Sequence, residues 1–206
     1  MFFNFFQKTI DLDVDLRLLI LTDLHTLRED ELEKIVDLDY DVCFLLGDIT
    51  VDYLCEIKKY VNKKVYGILG NHDNFDNLAR AGIENINNKI IDINGIKILG
   101  FEGSHRYKKG NFPMLSQEES LELLKNSPKA DILVSHDAPY YLYSKNMAHC
   151  GLKGISKYLL KNKVPINIHG HHHINSVLKL KNGTTVIGVY RCAILDIKNK
   201  KRKLIF

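Results

Sequence analysis

Five apolar runs in this 206-residue chain each end in side chains able to hold a cation. Residues 17–21 are followed by Thr22, Asp23, Leu24 and His25, and residues 42–46 by Gly47 and Asp48. Residues 65–69 lead into Gly70, Asn71, His72 and Asp73. Residues 131–134 lead into Ser135, His136 and Asp137, and residues 165–168 into His169, Gly170, His171, His172 and His173. An Asp or Asn behind a strand is commonly a turn or cap residue. Turn chemistry does not call for histidine at four of five strand ends, however. The joint pattern points to one cluster past the carboxyl ends of the strands, where open α/β sheets place their ligands.

The residue types narrow the chemistry. Carboxylates, neutral imidazoles and one amide, with no thiolate, suit divalent Mn, Fe, Zn, Ni or Co. Two such ions need more ligands than one short motif supplies, and a carboxylate to bridge them. Side chains at i and i+2 of an extended segment share a face. Asp23 and His25 can therefore converge on one ion, and His171 and His173 can both reach a compact cluster.

Read in order, Asp23-Leu24-His25, Gly47-Asp48, Gly70-Asn71-His72-Asp73, His136 and Gly170-His171-His172-His173 resemble the five-block signature of the calcineurin-like metallophosphoesterase superfamily. The similarity spans residues 23–173 and leaves no ligand position vacant. It implies that Asp23, His25 and His173 hold a first divalent ion, that Asn71, His136 and His171 hold a second, and that Asp48 bridges them. It also implies an α/β fold of the four-layer kind, with two packed mixed β-sheets flanked by helices. Two ions roughly 3.5–4 Å apart lower the pKa of a bridging water and clamp phosphoryl oxygens. The expected reaction is then hydrolysis of a phosphodiester or small phosphate ester by the resulting hydroxide. His72 matches the family position that contacts the phosphate and protonates the leaving group, a task suited to a group titrating near neutrality.

Around this centre several roles stay open. Asp73 either orients His72 or caps a helix after it. In the loop at residues 103–113, similar to one beside the metals in small bacterial and phage members, Arg106 is a candidate for a phosphate oxygen and Tyr107 for stacking on a base or ring. The alternative is a solvated loop with one packed aromatic. His149 either walls the substrate or packs its own loop. His105 is expected to face solvent, His169 to belong to its strand, and His172 to point away from its neighbours. Tyr190 and Arg191 are placed where they could border the cleft.

The positioning elements are legible as well. The runs above, with residues 96–101, read as short strands, mostly apolar on both faces as in a sheet covered twice. Helical patterns fall at residues 29–37, 53–61, 75–81, 116–126 and 154–162, with Ser116 and Glu119 forming a capping box. Residues 176–180 and 184–189, around Asn182-Gly183, read as a β-hairpin. Strands are expected at 192–197 and 203–206. No repeat or linker interrupts the chain, so residues 1–206 are expected to form one domain.

Composition excludes much else. With 45% hydrophobic and 26% charged residues the chain is neither disordered nor membrane-spanning. Its net charge of +4 is too mild to name a nucleic acid as partner. The four scattered cysteines fit a reducing cytoplasm. The expected partner is a phosphate-ester substrate, a nucleotide among the candidates. The phosphoprotein phosphatases of the superfamily carry a longer second block than GDITVDY, and its repair nucleases an added cap. A small phosphodiesterase is the expected reading, with a nucleotide monoesterase or a nuclease of the superfamily as the alternatives. A non-catalytic scaffold would require a damaged site, whereas the seven ligand positions and His72 are intact.

Overall fold

A computed structural model describes residues 6–12 and 16–199. The expected strand at 203–206 and the first five residues of the chain lie outside the described residues.

Two six-stranded sheets carry the fold. The first runs β1 (Phe6–Leu12), β14 (Arg191–Asn199), β2 (Leu16–Thr22), β3 (Val42–Leu45), β4 (Lys64–Gly67) and β5 (Glu84–Asn85), all parallel neighbours except the antiparallel β14–β2 pair. The second runs β12 (Ser176–Lys179), β13 (Thr185–Gly188), β11 (Ile166–His169), β10 (Ile132–Ser135), β7 (Ile96–Phe101) and β6 (Ile90–Ile93). Its four central strands are parallel and both edges antiparallel. The hairpin expected around Asn182-Gly183 is β12–β13.

Alternation along β2 explains why that strand is apolar throughout. Leu18 and Ile20 enter the core between the sheets with Phe44, Ile98, Val134, Ile168 and Leu195. Leu19 and Leu21 face the opposite way, against Leu32 and Ile35 of α1 (Glu29–Val36) and Leu54 and Ile57 of α2 (Val51–Tyr60). The second sheet's outer face buries Leu99, Phe101 and Leu133 against α4 (Gln117–Lys125) and α5 (Lys153–Asn162). The result is a helix–sheet–sheet–helix stack, as expected. Each fully buried Leu or Ile contributes about 1.5–3 kcal/mol by leaving water. The capping box at α4 is present, with Ser116 Oγ accepting from the Glu119 amide at 3.1 Å and the Glu119 carboxylate accepting from the Ser116 amide at 2.6 Å. The helix expected at 75–81 shortens to α3 (Asn77–Arg80) because the preceding residues are taken up by the loop after β4. Among the described residues no helix is long and apolar enough to cross a membrane.

Register decides where the loops emerge. Leu21 pairs with Leu45, and Leu45 with Gly67, so β2, β3 and β4 end side by side. Ser135 pairs with Phe101 and His169, which aligns the ends of β7, β10 and β11. Both sheets thus release their ligand-bearing loops at one rim.

Candidate metal centre

At that rim the side chains form two groups, within each of which the potential ligand atoms lie within 4.8 Å of one another. One is Asp23, His25 and His173, and the other is Asp48, His136 and His171. Asn71 joins the second through its Oδ1, which lies 3.1 Å from His136 Nε2. The loops that present them are tightly wound. Asp23, Asp48, His171 and His173 all have left-handed backbones, with φ of 53°, 55°, 64° and 52°, a conformation that costs a non-glycine residue about 1–2 kcal/mol. The grouping expected from extended alternation therefore arises from curled loops, and His171 and His173 separate into different groups. Two glycines permit the curl. A Cβ on Gly47 would sit 2.2 Å from the Gly70 nitrogen, and one on Gly70 would sit 2.2 Å from Asp48 Oδ1.

The hydrogen bonds leave specific lone pairs facing inward. The Oδ2 atom of Asp23 accepts from Thr22 Oγ1 at 2.8 Å and from the His171 amide at 2.9 Å. Its Oδ1 is buried without any hydrogen-bond partner and lies 3.5 Å from His173 Nε2. His136 Nδ1 donates to the Leu46 carbonyl at 2.7 Å, which turns Nε2 towards Asn71 Oδ1 and towards Asp48 Oδ2 at 3.5 Å. His171 Nε2 donates to the Ala148 carbonyl at 2.7 Å and so leaves Nδ1 for the cluster. Backbone carbonyls commonly fix the tautomer of metal-binding imidazoles in this way. Asn71 Nδ2 donates to the Tyr107 hydroxyl at 3.1 Å, which orients its oxygen inward.

Acceptors meeting acceptors in a buried place require positive charge. The electrostatics of the buried groups agree. Burial opposes a charged His136 ring, yet Asp48 and Asp23 raise its pKa to about 10. Burial would likewise raise Asp48, but His136 overrides it and holds the carboxyl well below its usual range. Positive charge is thus favoured at His136, where a cation would satisfy the same carboxylates. Burial lowers His171 to about 4, so the ring is neutral at physiological pH, as a ligand must be. Donor types, orphaned oxygen and charge balance all fit divalent metals.

Asp73 does neither of the things expected of it. Its carboxylate accepts from the amides of Gly70 at 2.7 Å, Asp48 at 2.8 Å and Ile49 at 3.1 Å, and from Asn77 Nδ2 at 3.3 Å. Among the described residues no hydrogen bond joins it to His72, and the residue at the N-cap of α3 is Asp76. Asp73 is a clamp that binds the loop after β3 to the loop after β4, with burial pushing its pKa up to about 6 against the pull of the Gly70 amide. Asp73→Ala leaves three amides without their acceptor and is expected to cost about 3 kcal/mol or more, measured as the shift in denaturant midpoint.

His72 is exposed, its amide donating to Asp48 Oδ1 at 2.8 Å and its ring edge-on to His25 at 6.3 Å between centroids. Burial lowers its pKa, with Asp48 opposing and Lys108 adding to the fall. It lines an open cleft of about 250 Å³ with His25, Asp48, Thr50, Asn74 and Asn77. A larger cavity of about 410 Å³ lies between α4 and α5, lined by Lys125, Lys157 and Lys161 and by none of the residues above.

The loop at residues 103–113 is closed at its base by β8 (Ser104–His105) pairing with β9 (Met114–Leu115). Arg106 is engaged elsewhere, donating to Glu119 at 2.8 Å and to the Met114 carbonyl at 3.0 Å. Tyr107 reaches the centre through its hydroxyl on Asn71. The basic residue that comes nearest His72 is Lys108, which the sequence did not single out. The His149 ring lies 5.0 Å from that of His171, beside the second group. His105, expected in solvent, is half-buried and donates from Nδ1 to the Met147 carbonyl at 2.9 Å. His172 is held by Asp137 at 3.1 Å, and His169 is buried at the end of β11. Tyr190 stacks on His173 with centroids 4.8 Å apart, while Arg191 pairs with buried Glu31 at 3.0 Å and bonds the Thr26 carbonyl at 2.9 Å, bracing the loop that follows His25.

Comparison with known proteins is consistent with this architecture. The profile of the calcineurin-like phosphoesterases matches residues 16–175. An uncharacterised protein of Haemophilus influenzae is 27% identical over 177 residues, covering 66% of this chain and 74% of its own. The crystal structure of the phosphopantetheinyl hydrolase PptH from Mycobacterium tuberculosis is similar in fold, with a TM-score of 0.60 at 14% identity, over 87% of this chain and 91% of that one. Wild-type Vps29 from Entamoeba histolytica, solved with Zn2+, gives 0.50 at 14% identity, over 85% and 74%. The chain belongs to the calcineurin-like phosphoesterase family, whose members are hydrolases that act on phosphate esters with divalent metals.

Proposed function

We propose that this chain, as one domain, hydrolyses a phosphodiester or another small phosphate ester with two divalent ions held at the rim. The observation that carries the reading is the buried, unpartnered Asp23 Oδ1 beside inward-facing nitrogens of two histidines. Asp23, His25 and His173 would hold one ion, Asn71, His136 and His171 the other, with Asp48 shared between them. Ions bound there supply an activated water and neutralise phosphoryl charge. The chain's own residues do the rest. Asp73 fixes the separation of the two loops that carry Asp48 and Asn71. His72, anchored through its amide to Asp48, presents its ring to the cleft, where it donates to a phosphoryl oxygen and protonates the departing oxygen. Positioning and charge suffice for phosphoryl transfer, and no nucleophilic Ser or Cys is needed. The Zn2+ complex of Vps29 and the hydrolase name of PptH support the reading.

The test is metal analysis joined to turnover. Protein loaded with Mn, Ni or Zn is expected to bind two equivalents and to hydrolyse members of a panel of aryl diesters, aryl monoesters and nucleotides, and to lose that activity to a chelator. A metal-replete preparation that cleaves none of them would mark the centre as a non-catalytic scaffold.

A further inference from the structure

The loop at residues 103–113 brings a cation beside His72. Lys108 Nζ lies 3.5 Å from His72 Nδ1, 4.5 Å from the centroid of Phe112 and 5.5 Å from that of Tyr107. Among the described residues no carboxylate pairs with it, whereas Lys34, Lys59, Lys64 and Lys125 each have one. Aromatic faces hold an ammonium without neutralising it. The placement of this loop is also fixed at two points. The Gly103 amide donates to the Leu69 carbonyl at 2.8 Å, which roots the loop on the stretch that delivers Asn71 and His72. The Tyr107 hydroxyl, next in sequence to Lys108, accepts from Asn71. An unneutralised ammonium is therefore held beside the one imidazole that faces the cleft without belonging to either ligand group.

We propose that Lys108 is a specificity-determining residue that binds an anionic oxygen of the phosphoryl group beside His72 and favours phosphomonoester dianions over diester monoanions. The proposal rests on the phosphoesterase reading above. A monoester brings two negative charges and a diester one, because the second ester oxygen of the diester is neutral. One more fixed cation thus gains more from the monoester, and a charge-assisted contact of this kind is stronger than a neutral one.

The experiment compares wild type, Lys108→Met and Lys108→Arg, all metal-loaded, on para-nitrophenyl phosphate and bis(para-nitrophenyl) phosphate. Inorganic phosphate affinity is measured by calorimetry alongside. Lys108→Met is expected to lower kcat/KM for the monoester about tenfold or more and that for the diester clearly less. Phosphate is expected to bind more weakly by a similar factor, with metal content unchanged. Lys108→Arg should restore most of both, and the difference should shrink as salt rises. Equal losses on the two esters, or unchanged phosphate affinity, would overturn the assignment. If wild type cleaves neither these esters nor any nucleotide of the panel above while phosphate affinity still falls in Lys108→Met, the phosphoesterase reading fails and the anion contact stands.

Discussion

Replacing Asp48 with alanine is expected to strip divalent metal from the purified protein and to lower turnover on an aryl phosphate ester about a thousandfold or more. Two-metal clamping contributes several kcal/mol to the transition state, at about 1.4 kcal/mol per factor of ten. Asp48 stands at the junction of the centre, with Oδ2 facing His136 Nε2 at 3.5 Å and Oδ1 accepting the His72 amide at 2.8 Å. Its loss removes a candidate ligand, unpairs a buried imidazole and releases the backbone of His72. The alanine change also adds a cost of its own, because φ here is 55° and alanine lacks the local hydrogen bonding that eases the left-handed conformation. Asp48→Asn separates the two effects, since asparagine tolerates that backbone and keeps an acceptor for the His72 amide while deleting the charge. Elemental analysis of both variants beside their kinetics decides the matter. Two metal equivalents and wild-type turnover in both would sink the bridging role.

The candidate ligand set could be picked out because it sits at the ends of strands buried on both faces, whose continuous apolar runs, such as residues 17–21, stand out in sequence. The glycines at 47 and 70 were part of the motif, and the contacts a Cβ would make explain why those positions take nothing larger. What the sequence could not supply is partnership across the fold. Asp73 looks like an orienting carboxylate beside His72, yet its partners are amides on two different loops, and only the packing of β3 against β4 brings them together. Arg106 looks like the phosphate ligand of its loop, yet Glu119 at the start of α4 claims it. The basic residue two positions on then reaches the centre, a swap that no local pattern encodes. The strand β1 was missed for a similar reason, since FQKTIDL carries only a weak period-two pattern and its partner β14 lies at the other end of the chain. The two-residue strands β5, β8 and β9 are too short to leave a periodic signal at all.

His72→Ala is expected to keep its metals and lose its turnover. The ring belongs to neither ligand group, and the backbone amide that Asp48 holds is present in alanine too, so the loop keeps its anchor. What disappears is proton donation, which contributes about 10²–10⁴-fold when a positioned side chain performs it. Two consequences distinguish this from general damage. The loss should be steeper for an alkyl leaving group than for para-nitrophenol, because an acidic phenol departs without help while an alkoxide needs the proton. Acting as the acid, His72 must carry a proton on both ring nitrogens, so that its donation leaves a neutral imidazole. His72→Gln, which keeps a hydrogen-bond donor but cannot deliver a proton, should therefore recover binding of the phosphoryl group without recovering turnover on alkyl esters. A uniform loss across leaving groups would instead assign His72 to electrostatic support of the phosphoryl group, since a proton donor must respond to the basicity of the oxygen it serves.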